Sequence, residues 1–141
     1  SISLDKAEYK KSDPIYVNFT LKNGGKKPVY VNKRFHVNVE DSPGGEKEVY
    51  FIVAGHSGRK LEYKKEAYDT GFPKTDYFVL LKRDEEAASE GKKNLRVYFD
   101  IKKTGTYTIT AVYKNVYGKE IGVDAFNGEL ESNPVTIKII E

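Results

Sequence analysis

"TGTYTITAVY", residues 104–113, places Tyr107, Ile109, Ala111 and Tyr113 on one side of an extended chain. Small polar residues, Thr106, Thr108 and Thr110, alternate with them. A period of two marks a strand with one buried face. Gly105, just before the alternation begins, supplies the turn that admits the strand.

The same period recurs on both sides of this stretch. In "PIYVNFTLK" the residues Ile15, Val17, Phe19 and Leu21 alternate with Tyr16, Asn18, Thr20 and Lys22. In "NLRVYFDIK" an extended reading puts Leu95, Val97, Phe99 and Ile101 inward and Arg96, Tyr98, Asp100 and Lys102 outward. The closing "PVTIKII" points Val135, Ile137 and Ile139 one way. "PVYVNKRFHVNV", "EVYFIVAG", "KLEY" and "YFVLL" add further strands, bounded by Gly, Pro, Asn and Asp turn residues. The one helical candidate is "DEEAASEG", with Asp84 as cap and Gly91 as stop, and its alternative is a loop. Many short strands without helix–strand alternation or a repeat predict an all-β fold over residues 1–141 as one domain. The architecture expected is an antiparallel immunoglobulin-like β-sandwich of about seven to nine strands. In that architecture a Tyr two residues before a core position folds its hydroxyl back onto a nearby backbone group, and Tyr107 before Ile109 has that spacing.

"YVNFTLKNGGKKPVYV", "SGRKLEY", "DYFVLL", "TGTYTITAVY" and "GELESNPVTIKI" together resemble the strand signatures of bacterial and archaeal Ig-like domains in exported proteins. The first four are also similar to secreted metallopeptidase pro-domains and to BsuPI-type proteinase inhibitors. The resemblance implies an extracellular or cell-surface location and a non-enzymatic role as spacer or adhesive module. Its alternative is a proteinase inhibitor or a peptidase pro-domain. The "L-x-P-G-E" turn of those groups is replaced here by "LLKRDEEAASEGKKN".

Composition narrows the chemistry. The chain has 141 residues, enough to bury about 70% of the surface its unfolded form exposes. No apolar run approaches the roughly 20 residues of a membrane span. Cys is absent, which excludes disulfides, thiolate metal sites and a Cys nucleophile. Met is absent too and the first residue is Ser, which reads as a processed chain or an excised piece. The net charge of +3 is spread over 24 Lys and Arg and 21 acids, and that even mixture argues against a nucleic-acid partner. Gln, Trp, Met and Cys are missing while Lys and Glu abound, a hyperthermophile trend that the eight Asn oppose.

Catalytic and metal motifs are not matched. His36 and His56 lack the spacing of paired metal ligands, and no cofactor is expected. Ser57 follows His56 in "AGHSGRK", which reads as a Gly-rich hairpin turn and departs from the G-x-S-x-G elbow. Asp124, Asn127, Glu129 and Glu131 surround Gly128 as oxygen ligands for calcium, off the EF-hand spacing. "NFT" matches the N-glycosylation pattern at Asn18. The eleven Tyr are the remaining signal. Tyr16 and Tyr98 are expected as an outward pair on neighbouring strands, serving either cross-strand stability or a protein or glycan partner. Arg59, Tyr63 and Tyr68 lie in "HSGRKLEYKKEAYDTGFPKTD", the least regular and most displayed segment.

Overall fold

The structure is a computed structural model that describes residues 2–4, 6–37, 48–64, 74–89 and 93–141. It is all-β, with eleven short strands and no α-helix among the described residues. The expected count of seven to nine is exceeded because several pieces are only two to four residues long. Among these are β1 (Ile2–Leu4), β2 (Glu8–Lys10), β7 (Glu86–Ala88), β8 (Lys93–Asn94) and β10 (Gly128–Glu131).

Three sheets assemble from them. One groups β1, β7 and β8 around β3 (Tyr16–Lys22). The second is built on β9 (Gly105–Asn115), the longest strand. Along one edge of β9 run β10 and β11 (Val135–Ile140), and β5 (Val49–Ala54) pairs with its other edge. β2 joins β11 in the one parallel pairing of named strands, and β4 (Val29–Asn32) with β6 (Phe78–Leu81) forms the third, two-stranded sheet. The period of two explains the burial. Val17 and Phe19 on β3, Tyr107, Ile109, Ala111 and Tyr113 on β9, and Ile137 and Ile139 on β11 all enter one core. Phe19 crosses between the first two sheets, its ring meeting Phe51 at 6.1 Å and Phe35 at 5.0 Å, both edge-on.

Two expected elements are corrected. "DEEAASEG" opens with a turn at Asp84, whose φ is 66°, and continues as strand β7 against Thr20–Lys22. The open edge of β3 offers a ladder of backbone bonds that one short helical turn cannot match. Gly91 lies outside the described residues. The second correction concerns residues 95–101, which do not run as a strand. The Asn94 side chain accepts hydrogen bonds from Ile15 N and Arg96 N, both at 3.1 Å, and so curls Leu95–Val97 into a 3-10 turn. Leu95, Phe99 and Ile101 remain buried, but Val97 swings out to 39% exposure. Arg96 turns inward instead of facing solvent. Its guanidinium donates to the backbone carbonyls of Asp13, Ile101 and Lys10.

A polar network is sealed inside the fold between β4, β5 and the end of β9. Glu48 is 0% exposed, and its Oε1 accepts from Arg34 Nε at 2.8 Å and from His36 N at 3.2 Å. Its Oε2 accepts from the Asn32 side chain, which also donates to Asn115 Oδ1 at 3.3 Å. The Tyr113 hydroxyl donates to Asn32 O at 3.0 Å, and burial raises its pKa above the usual phenol value. Burial, then the charge of Arg34, holds His36 below the ordinary imidazole value, with Glu48 acting the other way.

Candidate functional site

An open groove of about 630 Å³ lies between two turns. One wall is the Gly-rich hairpin that leaves β5. There Gly58 N donates to Gly55 O and Gly55 N to Arg59 O, both at 2.9 Å, and Ala54 bridges Lys60. Gly58 has a φ of 81°, the left-handed geometry that a tight hairpin of this kind demands. This is the turn that "AGHSGRK" predicts. His56 and Ser57 sit exposed at its tip.

The opposite wall is the approach to β9. Asp100, Lys102, Lys103 and Thr104 lead into Gly105, whose φ of 139° turns the chain into the strand. Tyr107 forms the floor with Leu61. Its hydroxyl donates to Lys103 O at 2.7 Å, tying the start of the strand to the turn four residues upstream. Because that hydroxyl is buried and bonded, Tyr107→Phe is expected to cost about 1–3 kcal/mol while leaving the fold intact. Urea unfolding of the purified variant measures it, and an unchanged midpoint would remove the corner role from Tyr107.

Cations outnumber acids along this groove. Arg59, Lys60, Lys102 and Lys103 line it, against Glu62 and Asp100. Asp100 is already engaged by Lys64 at 3.4 Å. The two walls come from segments some forty residues apart, so the concentration of cations appears only on folding.

The other residues singled out in the sequence are placed elsewhere. Tyr16 is half-buried on β3 opposite Asn94, and Tyr98 lies in the turn after Leu95–Val97. The Tyr98 ring packs on Tyr63 at 5.6 Å. Tyr63 in turn meets the buried Phe99 edge-on at 5.5 Å, which draws it into the core margin. Tyr68 lies outside the described residues, as does the rest of 65–73. Asn18 is half-buried on β3, paired with Ser3.

Around Gly128, Glu129 accepts from the Tyr50 hydroxyl and Asn127 donates to Ala125 O at 2.9 Å. Among the described residues no three His, Cys, Asp or Glu side chains converge as a metal site. No helix among the described residues is long and apolar enough to cross a membrane. Compared with known proteins, the chain matches no family model and no curated protein.

Proposed function

We propose that the protein is a non-enzymatic binding module of immunoglobulin-like sandwich type, part of an exported or cell-surface protein, and that it adheres to an acidic ligand. The observation that carries this reading is the groove, where Arg59, Lys60, Lys102 and Lys103 outnumber Glu62 and Asp100 around one concavity. The frame around it is rigid: β5 and β9 pair over six residues and fix the spacing of the two walls. Cations fixed around a concavity raise the local concentration of an acidic partner and speed its encounter.

The groove displaces the tyrosine platform as the binding surface. Tyr63 and Tyr98 pack on each other and on the core, which leaves their rings less to offer a ligand. Charge reversal tests the proposal. Arg59→Glu combined with Lys102→Glu should weaken binding to polyglutamate or dextran sulfate by about tenfold or more at low salt. Both side chains are exposed, so the fold should tolerate the change. Unchanged binding would overturn the groove as the adhesive surface. Dose-dependent inhibition of a broad-specificity peptidase by the purified protein would overturn the adhesive role in favour of the inhibitor or pro-domain reading.

A further inference from the structure

We propose that the groove takes its acidic ligand as an extended polypeptide segment, added as a strand to the edge of β9 at Gly105–Tyr107. This deepens the adhesive reading and rests on the groove being its binding surface.

The inference starts from a mismatch of strand lengths. The ladder between β5 and β9 ends at the pair Ala54 and Thr108. Beyond it the hairpin bonds of Gly55 turn the chain away from β9. β9 itself extends three residues further, to Gly105, and on its other edge β11 keeps pairing to the end, with Ile139 opposite Gly105. Among the described residues no strand pairs with Gly105–Tyr107 on the β5 side. The groove occupies this gap, since Thr104, Gly105, Thr106 and Tyr107 all line it. An unpaired sheet edge offers backbone donors and acceptors to an incoming strand.

The charges specify which strand fits. Arg59, Lys102 and Lys103 flank the gap, and none of them has a carboxylate partner among the described residues. Lysine beside an open edge commonly keeps other strands away. A neutral or basic strand would bury or oppose those charges, whereas a strand rich in Asp or Glu would neutralise them while its backbone pairs with the edge. An acidic polysaccharide would answer the charges and leave the edge open. The overhang of three residues spans about 10 Å, so an extended stretch of three or four residues fills it.

Three probes separate the elements of the proposal: a labelled peptide alternating Glu and Thr, its fully N-methylated twin, and dextran sulfate. N-methylation removes the peptide's N–H donors and keeps its charge. Fluorescence anisotropy is expected to show the unmodified peptide binding at least about tenfold more tightly than the twin. Lys102→Glu with Lys103→Glu should abolish the difference by removing the attraction. Equal binding of peptide and twin, lost on charge reversal, would overturn strand addition and leave the adhesive groove standing. Binding of dextran sulfate without the peptide would overturn it equally, in favour of a glycan. If none of the three binds, strand addition and the adhesive groove both fall.

Discussion

Glu48→Ala is expected to destabilise the fold by about 3–5 kcal/mol, because it removes a buried carboxylate that a guanidinium, a backbone N–H and a side-chain amide all bond. Arg34 is 6% exposed in its side chain and spends its Nε on Glu48. The same carboxylate holds His36 N and the Asn32 side chain, so its removal strands several donors where water does not reach them. The loss extends to packing. Between Arg34 and His36 sits Phe35 at φ 53°, a backbone geometry that bulky residues avoid, and its ring bridges Phe19 and Tyr113. Glu48 is the anchor that keeps this short loop in a conformation it would not choose alone. Urea unfolding of Glu48→Ala should show the full loss. The double variant Arg34→Met, Glu48→Leu should recover part of it, since both charges of the pair then leave the interior. A loss below about 1 kcal/mol in the single variant would mean that water replaces the carboxylate and that the network does not hold the loop.

The legible part of this molecule is the part governed by one rule. β3, β9 and β11 alternate strictly, and their burial follows the alternation from Val17 to Ile139. Where a single polar side chain bends the backbone, the period misleads. Asn94 does this by accepting from Ile15 N, a residue 79 positions away, and no local pattern discloses that bond. Glu48 was equally hidden, because an acid in "GEKEVY" has the signature of a solvated turn until Arg34 and Asn32 are brought beside it. The groove was half visible. Arg59 stood out in the irregular segment, but Lys102 and Lys103 read as the outward end of a strand and its turn. Only the pairing of β5 with β9 places them across from Arg59.

The bend at residues 95–101 can be tested by the contrast it creates between neighbours. Phe99 is 2% exposed and meets Tyr63 edge-on, so Phe99→Ala should cost about 3–5 kcal/mol through lost burial and the cavity left behind. A regular strand would place Val97 on the same inward face as Phe99 and make its truncation costly as well. In the 3-10 turn Val97 is 39% exposed, and Val97→Ala should stay within about 0.5 kcal/mol of the parent. Arg96 reverses in the opposite sense. On a regular strand its removal would be nearly silent. With its guanidinium bonded to the carbonyls of Asp13, Ile101 and Lys10, Arg96→Ala should instead cost about 1.5–3 kcal/mol. Chemical denaturation of the three variants under one set of conditions gives the ranking directly. The order Phe99, then Arg96, then Val97 belongs to the bent segment. Comparable losses at Phe99 and Val97 with a silent Arg96 would return the segment to a straight strand.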